Sequence, residues 1–183
     1  MNTFVVLVED QPGVLTRVSS LIRRRGFNIS SLTVGHTETP GVSRMTIDVE
    51  ADEFGARRVE ANLYKLIDVL RVDNVTRRPS LFRELAILKV ATTPETRAQI
   101  FQLAQVYRAR IIDVSPESLV VEITGNQDKV ESLIEVISPY GLLELARTGR
   151  LAMLRGTGTA STIPTEQENV AADAAEDVLS HSV

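Results

Sequence analysis

One arrangement of hydrophobic side chains occurs twice along these 183 residues, and it leaves few folds open. The first copy begins at residues 3 to 9, Thr-Phe-Val-Val-Leu-Val-Glu, a β-branched and apolar run ended by the turn-formers Asp10-Gln11-Pro12-Gly13. From there the apolar residues fall at Val14, Leu15, Val18, Leu21 and Ile22, a three-and-four spacing that puts them on one face of a helix, and Gly26 stops it. Strands are expected at 28 to 36 and 42 to 50, with a hairpin at Thr39-Pro40-Gly41 between them. The second of these alternates Met45, Ile47 and Val49 with Arg44, Thr46 and Asp48, the pattern of a sheet with one wet face. A helix over 53 to 65, gathering Val59, Leu63 and Leu66, and a strand over 67 to 77 complete a βαββαβ order.

After Arg78-Pro79-Ser80 the order returns. A strand is expected at 82 to 91, a helix at 95 to 108 on Ile100, Leu103, Ala104 and Tyr107, and a strand at 110 to 114. Beyond the turn at Ser115-Pro116-Glu117 come a strand at 118 to 124, a helix at 127 to 137 on Val130, Leu133, Ile134 and Ile137, and a strand at 142 to 148. The expected class is therefore α+β: two tandem ferredoxin-like βαββαβ units with antiparallel sheets, residues 1–78 and 79–155. Past Arg155 the chain turns to Gly-Thr-Gly-Thr-Ala-Ser-Thr and then to acidic, alanine-rich sequence, so 156–183 is expected to be a mobile tail.

A unit of about 75 residues buries only about 60% of its unfolded surface and is marginal alone. This predicts a homodimer in which a second copy covers sheet edges or helical faces. Chemistry of several kinds is ruled out by residue type. There is no cysteine, so thiolate nucleophiles, disulfides and cysteine zinc sites are excluded; His36 and His181 stand too far apart to suggest a metal. The 20 basic and 24 acidic side chains are scattered, which predicts no nucleic-acid partner. Arg23, Arg24 and Arg25 cluster only where cations suit a helix C-terminus. No stretch approaches the roughly 18 apolar residues of a membrane span, and the start MNTFVVLVEDQPG has no basic region and cleavage site, so a cytoplasmic protein is expected.

The run Val8-Glu-Asp-Gln-Pro-Gly-Val-Leu-Thr-Arg-Val resembles the first loop and helix of an ACT domain, a βαββαβ module that commonly binds amino acids. Longer stretches narrow the resemblance to the small regulatory subunits of acetolactate synthase (acetohydroxyacid synthase). They are Arg25-Gly-Phe-Asn-Ile-Ser-Ser-Leu-Thr-Val, Val42-Ser-Arg-Met-Thr-Ile, Leu66-Ile-Asp-Val-Leu-Arg-Val, Arg83-Glu-Leu-Ala-Ile-Leu-Lys-Val, Ile111-Ile-Asp-Val-Ser-Pro and Leu145-Ala-Arg-Thr-Gly-Arg. The resemblance covers residues 3 to 156 and implies a non-catalytic protein in branched-chain amino acid biosynthesis. Its partner would be a large catalytic subunit holding thiamine diphosphate, magnesium and flavin adenine dinucleotide, none of which this chain would bind. The small subunit would raise that partner's activity and confer feedback inhibition, usually by valine.

An amino-acid effector offers a carboxylate, an ammonium and one side chain, and the first loop suits it. The helix beginning near Val14 presents unpaired N–H groups and a positive dipole end to a carboxylate, and Gly13 lets the ligand approach. Asn28 offers a donor and an acceptor, while Ile29, Val14 and Leu15 are candidates for an apolar wall. By resemblance these positions match the family's effector site, which lies between the first units of two protomers, so Asn28 and Gly13 are expected to face each other across a dimer. Asp10 departs from the asparagine common in relatives; its carboxylate would accept from the ligand ammonium and repel the ligand carboxylate, so its orientation matters. Arg17, Arg24 and Arg44 are candidates for touching the large subunit. Two alternatives remain open at this point: a free-standing tandem-ACT sensor acting on another protein, and a hydrolase on the ferredoxin-like fold.

Overall fold

The computed structural model of the chain describes residues 1–157; the predicted mobile segment falls almost wholly outside them. In the first half, β1 (Asn2–Glu9), β2 (Asn28–His36), β3 (Val42–Glu50) and β4 (Val69–Asn74) form an antiparallel sheet in the order β2-β3-β1-β4. Helices α1 (Val14–Arg24) and α2 (Glu53–Leu63) pack on one face, where Val18, Ile22, Val59 and Leu63 meet Phe4, Val6, Met45, Ile47 and Val49. In the second half, β5 (Ser80–Ala91), β6 (Arg110–Val114), β7 (Ser118–Gly125) and β8 (Leu142–Arg147) repeat the order as β6-β7-β5-β8, with α3 (Pro94–Val106) and α4 (Gln127–Ile137) over Ala86, Leu88, Val90, Val121 and Ile123. These are the two α+β ferredoxin-like units that the sequence predicts.

Helix starts follow local chemistry in three cases. Asp52 accepts from Gly55 N–H at 2.7 Å to cap α2, Thr93 and Thr96 form a reciprocal capping box on α3 with Pro94 at its first position, and Asn126 caps α4. The exception is α1, which has no side-chain cap and no acidic residue in its first turn.

The structure adds a strand absent from the sequence reading. β9 (Leu151–Leu154) pairs antiparallel with the first residues of β5, from Ser80 opposite Leu154 to Arg83 opposite Leu151. Four residues give too short a run for periodicity to register, and their partners lie some seventy positions away. This ribbon lies on the back of the first sheet, where Ala152, Leu154 and Phe82 close over Val5 and Val75. The wet face expected for β3 is therefore covered: Thr46 and Asp48 are each 1% exposed, and Arg44 Nη2 donates to the Ala152 carbonyl at 2.6 Å. The charge of Asp48 is met by Arg150, whose Nε and Nη2 each donate to it at 2.8 Å. Hydrogen bonding to Asp48 pushes the Arg150 guanidinium above its ordinary pKa, against the opposing effect of burial.

Thr46 Oγ1 is buried without a hydrogen-bond partner. Thr46→Val replaces that hydroxyl with a methyl and is expected to raise the free energy of unfolding by about 1 kcal/mol. Urea titration measures it, and a loss of similar size would show the hydroxyl to be bonded.

Candidate functional site

The loop between β1 and α1 is tied at both ends. Asp10 N–H donates to the Gly41 carbonyl at 2.8 Å, Gln11 N–H to the Glu9 carbonyl at 3.0 Å, and Gly13 sits at φ 88°, a left-handed conformation that glycine adopts without a Cβ penalty. That turn brings the chain directly into α1, whose uncapped tip presents backbone N–H groups and the positive end of the helix dipole to solvent. Leu15 lies at this tip, 44% exposed. Arg17, one turn in, folds across to Asp68, with Nε 2.7 Å from Oδ2 and Nη2 donating to Oδ1 at 2.9 Å. A Cβ on Gly13 would stand 3.7 Å from Arg17 Nη1, so a guanidinium borders the glycine. Sequence reading placed Arg17 among surface contacts; only the fold brings it to the loop.

Asp10 turns toward the β2–β3 hairpin. Its Oδ1 accepts from Ser43 Oγ at 3.2 Å, and its Oδ2 lies 3.2 Å from His36 Nδ1. The carboxylate is thus held beside the strands at the edge of the tip. Val14, expected on an apolar wall, points inward: at 2% exposure it packs in the core with Val8 and Val18 and seats the tip without lining it.

Asn28 and Ile29 open β2 at its other end. Asn28 stands opposite Glu50 and is exposed; Ile29 stands opposite Val49, half-buried against the core. The far end of β2, His36 opposite Ser43, is the end that adjoins Asp10. At about 3.3 Å per residue, the length of β2 separates Asn28 from the loop by roughly 26 Å. Within one chain, Asp10, Gly13 and Leu15 gather at one end of the unit and Asn28 and Ile29 at the other.

Among the described residues no group of three or more histidine, aspartate or glutamate side chains could hold a metal ion, and no helix is long and apolar enough to cross a membrane. A family model described as the AHAS small subunit-like ACT domain matches residues 4–71, and one described as the small subunit of acetolactate synthase matches residues 83–156. A relative from Archaeoglobus fulgidus named "Probable acetolactate synthase small subunit" is 50% identical over 155 residues, 85% of this chain and 97% of its own length. An acetolactate synthase small subunit from Mycobacterium bovis is 46% identical over 85% of this chain and 92% of its own. The crystal structure of an acetolactate synthase small subunit from Thermotoga maritima superposes with a TM-score of 0.80 at 42% identity, covering 86% of this chain and 98% of that one. With two ACT-type units in tandem and this likeness along nearly the whole length of its relatives, the chain belongs to the acetolactate synthase small-subunit family, the regulatory partner of a catalytic large subunit.

Proposed function

We propose that this chain binds a branched-chain amino acid, valine first among them, between the first units of two copies, and that the bound effector restrains a large subunit which the chain otherwise activates. The observation that supports it is the position of β2 at the edge of its sheet, with Asn28 and Ile29 at one end and the loop carrying Asp10, Gly13 and Leu15 at the other. Antiparallel pairing of β2 with its own copy about a twofold at Leu32 sets residue 28 of one protomer opposite residue 36 of the other. His36 is the residue that touches Asp10, so the pairing carries Asn28 and Ile29 to the partner's loop. The α1 tip then holds the effector carboxylate, Gly13 allows the approach, Asn28 of the other copy and Asp10 meet the ammonium, and Leu15 with Ile29 flank the side chain. Val14 serves through its packing beneath the tip. The chemistry itself stays with the large subunit and its thiamine diphosphate, magnesium and flavin, in the cytoplasm.

The test is acetolactate formation by the large subunit with and without this chain, titrated with valine, leucine and isoleucine. The chain is expected to raise the rate and valine to lower it again. Turnover indifferent to the added chain, together with no heat of valine binding by calorimetry, would overturn the reading; valine binding without any effect on turnover would point to another target protein.

Dimer formation has its own check. Val34, 44% exposed on β2, is a position where a lysine blunts an edge strand. Val34→Lys is expected to give a monomer by sedimentation and to abolish valine binding, because each half-site then lacks its complement. A valine-binding monomer would sink the composite site.

A further inference from the structure

The edge strand of the first unit is gripped from behind by the second. Residues Thr148 to Arg150 leave β8 and cross the back of β2 before β9 begins. Gly149 lies so close that a Cβ there would run into Ser31 Oγ and Thr33 Oγ1 and stand 3.2 Å from the Leu32 carbonyl carbon. The Arg150 amide donates to Ser31 Oγ at 3.1 Å, while its guanidinium takes Asp48 on β3, reaches Thr3 Oγ1 at 3.3 Å and stacks over Phe82 at 5.3 Å. At the other end of the strap Arg147 Nη2 donates to Glu84 on β5 at 2.6 Å. The arginine that ends β8 and the one that ends the strap are therefore anchored in different sheets. A cavity of about 420 Å³, bordered by Ser30, Gln127, Arg147 and Thr148, opens beside it, so the strap is packed against β2 and open alongside.

The grip falls next to the one irregular place in β2. Its register on β3 shifts between Ile29 and Ser31, making Ser30 the extra residue of a bulge, with Ser30 Oγ donating to Glu50 Oε1 at 3.0 Å. A bulge re-aims the side chains on either side of it. Here one side is Ser31, Leu32 and Thr33, held by the strap, and the other is Ile29 and Asn28.

We infer that Gly149 and Arg150 are positioning residues for the effector site: by pinning Ser31 to Thr33 from behind they set the bulge at Ser30, and with it the aim of Asn28 and Ile29, so that effector affinity in the first unit depends on the second. This rests on the composite valine site proposed above. Thermodynamic reciprocity gives the converse: an effector that draws on Asn28 shifts the strap and the sheet behind it. Gly149 is the only residue type that permits the contact, since any side chain would lift the strap from β2.

The experiment is valine and leucine calorimetry on the full chain, with sedimentation and urea unfolding on the same samples. Gly149→Ala is expected to remain a folded dimer, lose about tenfold in valine affinity and change the ratio of valine to leucine affinity, since a site loosened by its supporting contacts misplaces its ligand. A folded dimeric Gly149→Ala with unchanged affinity and unchanged ratio overturns the inference while leaving the valine site standing. If that variant does not fold, Ser31→Ala alone decides: it deletes the acceptor of the Arg150 amide without adding bulk, and undiminished affinity overturns the inference equally. Wild-type protein that binds no valine removes both this inference and the reading beneath it.

Discussion

Gly13→Asp is expected to weaken valine inhibition about a thousandfold. A carboxylate at this position would stand beside the α1 tip where the effector carboxylate is placed, and like charges ~4 Å apart at an effective dielectric near 20 repel by about 4 kcal/mol, which is roughly three decades in affinity. Arg17 does not relieve this, because its fork is committed to the buried Asp68, and drawing it away would leave that carboxylate unpaired. Gly13→Ala separates charge from backbone. Its Cβ has only Arg17 Nη1 nearby, at an ordinary 3.7 Å, so its cost is that of placing a side chain at φ 88°, about 1–2 kcal/mol of stability. Titrating acetolactate formation with valine in the presence of each variant is the measurement. An aspartate variant half-inhibited at the wild-type valine concentration would remove the carboxylate from this tip.

Arg150→Leu is expected to cost about 3–5 kcal/mol of stability, because it abandons a buried carboxylate. Asp48 is almost wholly enclosed, and besides Arg150 the Thr3 hydroxyl donates to it at 2.6 Å. The companion Asp48→Leu/Arg150→Leu removes both charges and is expected to be less destabilised than the single variant, since the penalty is for the unpaired charge and not for the missing attraction. Urea unfolding of the wild type, both single variants and the double variant completes the cycle. A loss below about 1 kcal/mol for Arg150→Leu would mean that water reaches Asp48.

Most of the element order could be read from the chain because it rests on neighbours within a few positions. The stripe from Val14 to Ile22, the Pro-Gly turns and the alternation of Met45, Ile47 and Val49 each report a local period, and all became the elements they suggested. The α1 tip was legible for the same reason: Gly13 at a turn followed by an apolar stripe marks a helix start wherever it occurs. What failed were inferences about surroundings. Arg44, Thr46 and Asp48 alternate like a solvated face, yet the β5–β9 ribbon lies on them; a strand's pattern records which residues share a face and not what covers it. Val14 carried two expectations, a place in the apolar stripe of α1 and a place on the wall of the site; the structure keeps the first, because how the helix sits on its sheet turns this first-turn side chain into the core.

By itself, then, the order of residues determined two βαββαβ units, their helix starts and their family. Tertiary structure decided the rest: that Asn28 and Gly13 lie at opposite ends of β2, that Arg17 reaches Asp68, and that the 148–150 segment seizes the back of that strand. The physical reason is range. Period, turn chemistry and capping act over a few residues, whereas the pairing of residues 80–83 with 151–154 and of Asp48 with Arg150 joins parts of the chain whose meeting is set by the burial of the whole.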